Sequence, residues 1–165
     1  MKRISTGSPF EATMGYSRAG FAEIVGVDIK PQPRYPFEFH QGDAMTWPLE
    51  GFDAIHASPP CQAYTALRVA SNARDDHPRL IEPVRELLKQ TGLPYVIENV
   101  PGSPLIDPVT LCGMTFGLRT YRHRLFETNF PLPQPPHPYH AHKQTKMGRP
   151  PEDGEFMHVV GNFSG

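Results

Sequence analysis

Phe52-Asp53-Ala54-Ile55-His56-Ala57-Ser58-Pro59-Pro60-Cys61-Gln62 is the stretch on which the fold turns. Its first residues make a short apolar strand. The proline pair then stops it, because proline has no backbone N–H for a ladder and restricts the residue before it. Two runs of the same kind precede it, each ending in an acid: Ala22-Glu23-Ile24-Val25-Gly26-Val27-Asp28-Ile29 and Phe37-Glu38-Phe39-His40-Gln41-Gly42-Asp43. Downstream, Leu80, Ile81, Val84, Leu87 and Leu88 fall at helical spacing, with Pro83 in the first turn and Gly92 as the stop. Pro94-Tyr95-Val96-Ile97-Glu98-Asn99-Val100 reads as a fourth strand and Arg124-Leu125-Phe126-Glu127-Thr128 as a fifth. Strands alternating with helical segments predict an α/β domain around a mainly parallel sheet.

Ligands of such sheets bind beyond the carboxyl ends of the strands. Asp28, Asp43, the Ser58–Cys61 turn and Glu98-Asn99 all stand at such ends, so the pattern gathers reactive groups on one edge. The two prolines present Cys61 on a rigid turn. As a nucleophile it would act as a thiolate; as a small buried side chain it would only pack. Glu98 follows 37 residues later, at the end of the apolar run Tyr95-Val96-Ile97. Burial there would raise its pKa and keep it protonated, as a general acid requires, whereas a carboxylate facing water would stay ionised.

The 165 residues suit one domain with its own core, and the 20 prolines argue for many loops and against a helical bundle. No apolar run is long enough to span a membrane, and the first residues carry no secretory pattern, so an intracellular, cytoplasmic protein is expected. Net charge is −1, but Arg119 to Arg149 holds six basic residues and one acid, which leaves +5 there and −6 elsewhere. That asymmetry suits a phosphate-facing surface and equally a solvated basic loop.

Pro131 to Pro151 reads as an extended loop or linker, and Phe156 to Gly161 as a strand that begins as the chain ends. His137, His140 and His142 invite a metal, but neither an acid nor a cysteine joins them nearby in sequence, so no metal is expected. Cys112 and Trp47 read as packing. Tyr64 and Thr65 either line a base pocket or cap a following helix.

Pro59-Pro60-Cys61-Gln62, Glu98-Asn99-Val100 and Arg122-His123-Arg124 occur in this order. They resemble the Pro-Cys-Gln loop, Glu-Asn-Val strand and Arg-x-Arg strand of cytosine-C5 DNA methyltransferases, in wording most like the short phage- and prophage-type members. Ala19-Gly20-Phe21 is also similar, and the likeness runs from about Thr13 to Phe130. It implies a Rossmann-like S-adenosylmethionine-dependent methyltransferase fold, with a catalytic core over 1–130 and the start of a truncated C-terminal region over 131–165.

By this resemblance Cys61 attacks C6 of a cytosine flipped out of double-stranded DNA. Glu98 holds the exocyclic amine and N3, Arg124 the O2, and Arg122 orients. Asp28, Ile29, Asp43, Ala44 and Pro59 contact S-adenosylmethionine, and Pro60, Gln62 and Asn99 contact the substrate. A phage-encoded protein in a bacterial host is the implied source. Ile4 to Ala12 departs from the family pattern: one glycine stands where the family has several, and its apolar first strand is expected to be missing. Thr120 stands where glutamine is usual. Two other readings remain open: a catalytically inactive DNA-binding relative or fragment, and an enzyme acting on free pyrimidine nucleotides.

Overall fold

Ile24 to Val27 are buried in the strand Glu23–Asp28, and such a run, without polar alternation, is what a strand covered on both faces requires. This strand, β2, belongs to a seven-stranded sheet of order β3-β2-β1-β4-β5-β7-β6. The computed structural model describes residues 3–7, 10–64, 77–145 and 149–157. The strands are β1 (Arg3–Gly7), β2, β3 (Glu38–Gln41), β4 (Ala54–Ala57), β5 (Tyr95–Asn99), β6 (Val109–Cys112) and β7 (His123–Thr128). Those from β3 across to β5 pair in parallel, whereas β7 runs antiparallel to both β5 and β6.

Helix α1 (Phe10–Arg18) leads from β1 into β2, and helix α2 (Ile81–Thr91) leads into β5. Pro83 sits in the first turn of α2, where its missing N–H has no intrahelical acceptor to lose. Gly92 ends that helix in the left-handed conformation, φ 67°, with its amide donating to the Lys89 carbonyl. A core of Ile55, Leu88, Tyr95 and Ile97, joined by Val84 and Leu105, lies between α2 and the β4–β5 pair. Gly26 lets the end of the Tyr35 side chain lie against β2, since a Cβ there would meet it at 2.5 to 2.8 Å and displace it.

Three features differ from the sequence expectation. The first strand is present: Arg3–Gly7 pairs with both β2 and β4 at the middle of the sheet. Its ladder is made by the main chain, so the sparse apolar content of Arg3-Ile4-Ser5-Thr6-Gly7 does not forbid it. Strand β6 and the antiparallel turn of β7 were not foreseen either. At the far end, Phe156 and Met157 form only isolated bridges, to Gln144 and Thr120. Val159 to Gly161, and Ser8, Pro9 and Thr65, lie outside the described residues. Among the described residues, no helix is long and apolar enough to cross a membrane.

Candidate active site

The order of the parallel strands reverses between β1 and β4: β1 leads outward to β2 and β3, and the chain then returns to β4 on the other side. A crevice outside the carboxyl ends is expected at such a switch point. The predicted residues sort around it into two groups.

The first group follows β2 and β3. Asp28 ends β2, and its carboxylate accepts from the Lys30 amide at 2.8 Å and from the Gln32 side chain at 3.4 Å. Ile29 beside it is 71% exposed, an unusual position for an aliphatic side chain at a sheet edge. The Gly42 amide donates to the Asp28 carbonyl at 3.0 Å, which ties the end of β3 to that of β2. Asp43 and Ala44 follow, both exposed, with Asp43 Oδ1 capping the Met45 amide at 2.9 Å. Trp47 packs over His40, ring centroids 4.7 Å apart, as its packing role required.

The second group follows β4 and β5, which are neighbours in register from Ile55↔Tyr95 to Ala57↔Ile97. The buried Asn99 side chain donates to the Pro59 carbonyl at 2.9 Å and accepts from the Val100 amide at 2.9 Å. One bond from each polar end ties the Pro59-Pro60-Cys61 turn to the end of β5. Pro59 is buried, whereas Pro60 and Gln62 are exposed. Cys61 is half-buried, and its carbonyl accepts from the Tyr64 amide at 2.9 Å as the chain enters a short 3-10 turn over Gln62–Tyr64.

Glu98 pairs with Phe126 across β5 and β7, so Arg124, two residues along, shares its face. Arg124 Nε reaches Glu98 Oε1 at 3.0 Å, and its Nη1 donates to the His123 carbonyl at 3.0 Å. On the other carboxylate oxygen, Ser58 Oγ donates to Oε2 at 3.4 Å, with His56 Nε2 standing 3.7 Å away. His56 Nε2 lies 3.1 Å from Ser58 Oγ, and His56 Nδ1 lies 2.6 Å from the Tyr16 hydroxyl. Burial, then the negative charge of Glu98, pushes the Tyr16 pKa up to about 12, so the phenol keeps its proton. Tyr16, His56, Ser58 and Glu98 thus form one hydrogen-bonded chain, in which Ser58 donates to the Glu98 carboxylate.

This reverses one expectation. Burial alone raises the Glu98 pKa, but His56 and the charges of Arg124 and Arg122 outweigh it and leave it below the usual carboxylate range. Glu98 is therefore an ionised acceptor. Tyr16 and His56 were missed by the sequence reading, and Ser58 entered it only as the start of the Ser58–Cys61 turn: Tyr16 and His56, like Ser58 and Glu98, lie 40 residues apart, and no spacing rule signals them. The basic stretch is also less free than its composition suggests. Arg149 pairs with Glu152 and Glu155, Lys143 approaches Glu155 at 3.4 Å, and Arg124 is taken by Glu98.

The histidines give a further correction. Cys112 and His123, opposite one another on β6 and β7, stand with His137 and His140, and His142 stays apart, stacked on Phe156. A cysteine therefore does join the group, brought in by strand pairing rather than by sequence proximity.

S-Adenosylmethionine is the cofactor that the sequence resemblance implies. The half-buried Asp28 carboxylate has lone pairs left for ribose hydroxyls, the exposed Ile29 side chain offers an apolar face, and Asp43 follows at the end of β3, which is tied to that of β2. The donor set therefore fits its adenosine half.

No protein-family model matches the chain, and no curated protein matches it either. Among solved structures it is similar to a crystal structure of a mutant Spodoptera frugiperda DNMT2, with 17% identity and a TM-score of 0.57. The alignment covers 99% of this chain and 57% of that one, so the chain spans little more than half of that protein's length. With the sheet order above, this likeness gives the chain the Rossmann-like, mixed α/β fold of S-adenosylmethionine-dependent methyltransferases.

Proposed function

We propose that the chain carries the catalytic half of a cytosine-C5 methyltransferase acting on DNA, with Cys61 as nucleophile. The observation that carries this reading is the junction of the Asn99-clamped Cys61 turn with the Glu98–Arg124 pair, at the carboxyl edge of a parallel sheet. The target base must leave the helix stack to reach such an edge. Cys61 gives up its S–H proton to solvent and adds as the thiolate through sulfur to C6 of the ring, and the displaced electron pair accumulates toward C5. The ionised Glu98 accepts from the exocyclic amine, and its charge favours a proton that N3 takes from solvent; the C5 proton is later lost to solvent as the sulfur leaves C6. Arg124, already oriented by Glu98, donates to O2, and Arg122 adds positive charge beside it. When bound, S-adenosylmethionine supplies an electrophilic methyl group for C5. Asp28 and Ile29 bind its ribose and adenine, with Asp43, Ala44 and Pro59 lining the same edge.

The test has two arms. Calorimetric titration of the purified chain with S-adenosylmethionine should show binding that Asp28→Ala weakens. Duplex DNA containing 5-fluorocytosine should form a denaturation-resistant adduct in the presence of S-adenosylmethionine, lost in Cys61→Ala. A folded chain that binds the cofactor but forms no adduct sinks the nucleophile assignment. No cofactor binding at millimolar concentration supports a non-catalytic relative. The pairing of Arg149 and Lys143 with Glu152 and Glu155 favours a second reading, a free pyrimidine nucleotide as substrate. An adduct with a 5-fluorocytosine nucleotide and none with DNA would select it.

A further inference from the structure

Away from the Cys61 edge, four metal-binding side chains converge from three separate parts of the chain. Cys112 ends β6, His123 begins β7, and His137 and His140 lie in the proline-rich segment that follows. One ligand atom from each lies within 4.8 Å of the others. Cys112 Sγ is 3.4 Å from His140 Nε2, and His123 Nε2 is 2.8 Å from His137 Nε2. Four-coordinate zinc, with Zn–N near 2.0–2.1 Å and Zn–S near 2.3 Å, sets ligand-to-ligand edges of roughly 3.3 to 3.7 Å. The sulfur–nitrogen edge already has that length, and admitting the ion moves the close imidazole pair apart by about half an ångström.

We propose that Cys112, His123, His137 and His140 form a structural zinc site that fastens the proline-rich segment to the β6–β7 edge. One thiolate and three imidazoles form a closed tetrahedral set with no position left for water, which is the character of a structural site. The set contains no carboxylate, so it does not suit calcium or magnesium. Binding breaks the Cys112 S–H bond, forms S–Zn and releases the proton to solvent, while each imidazole gives a neutral lone pair.

The surroundings hold the ligands in place. The Tyr121 ring stacks on His140 with centroids 3.9 Å apart, and its hydroxyl donates to the His142 carbonyl at 2.9 Å. The Gln134 side chain accepts from the Thr110 amide and donates to its carbonyl, both at 2.8 Å, extending the β6 edge toward His137.

This inference does not depend on the methyltransferase reading. The full chain, purified under reducing conditions without chelator, should carry one zinc per molecule by elemental analysis. Replacement by cobalt should give the visible bands of a tetrahedral ion and a near-ultraviolet thiolate band, and Cys112→Ser should remove the thiolate band. His137 is exposed, so His137→Ala should fold. It should bind zinc about a hundredfold more weakly or worse in chelator competition, since even outer-shell changes cost roughly 10–100-fold. His142→Ala should leave that affinity unchanged. Substoichiometric zinc after reconstitution, cobalt spectra without thiolate character, or unchanged affinity in folded His137→Ala would each overturn the site.

Discussion

Glu98 shows how one carboxylate can be read wrongly from its strand. A buried acid in isolation is costly and stays neutral, but this one faces Arg124 and receives a hydrogen bond from Ser58. Its folded pKa lies below the ordinary 4.5, so the ionised form stabilises the fold above that value. The contribution is lost as pH falls through the folded pKa. Urea midpoints of the wild type and Glu98→Gln should therefore differ at neutral pH and approach one another well below pH about 4. A gap that stays constant across that range would mean the carboxylate is not held ionised. Cys61, Glu98 and Arg124 were legible from their order along the chain. Tyr16, His56 and the part played by Ser58 were not, because each is an ordinary residue until the sheet brings them together.

At the scale of elements, α2 is held to β7 by a buried ion pair. Arg85 is 1% exposed. Its Nε and Nη2 donate to the two Glu127 oxygens at 2.6 and 2.8 Å. The remaining capacity is used as well: Arg85 donates to the Pro104 carbonyl and pairs with Glu82, and Glu127 accepts from the Ile106 amide. Removing one partner strands a buried charge, so Arg85→Met or Glu127→Gln should each cost about 3–5 kcal/mol in denaturant unfolding. The double change Arg85→Met with Glu127→Leu should recover much of that loss. In sequence, Glu127 was only the lone acid of a basic stretch. The same limit explains the strands. β2, β4 and β5 announced themselves by apolar runs, whereas β1 has one aliphatic residue and β6 only four residues in all. Both exist because neighbouring strands complete their ladders, and a sequence read one segment at a time cannot show that.

For the whole molecule, the parallel half of the sheet carries the Cys61 edge, and the antiparallel half carries the proline-rich segment. Among its described residues that segment is tied down by the Gln134 bonds, the Tyr121–His142 pair, the Thr145 amide donating to the Phe156 carbonyl and the Phe156 amide donating to the Lys143 carbonyl. An ion bound only by the native state should add stability in proportion to the logarithm of its concentration. The gain is about 2.7 kcal/mol at a hundred times the dissociation constant. Chelator should lower the thermal midpoint of the wild type, and zinc should restore it. His137→Ala should unfold at the same temperature with or without chelator. A wild type equally indifferent to chelator would remove the metal from the account of stability.

Strand alternation has one further effect. Arg124 and His123 are neighbours on β7 with side chains on opposite faces, and the His123 carbonyl accepts from the Arg124 guanidinium. One peptide unit thus has a metal-site imidazole on one side and the partner of Glu98 on the other. Metal at the proposed zinc site would act on Cys112 and its histidines, and substrate at the proposed base site would act on Arg124. A strand paired on both edges leaves little freedom to absorb a shift on one face before it reaches the other. Zinc at the proposed site would therefore bear, through one strand, on the placing of Arg124, the residue proposed to hold the base.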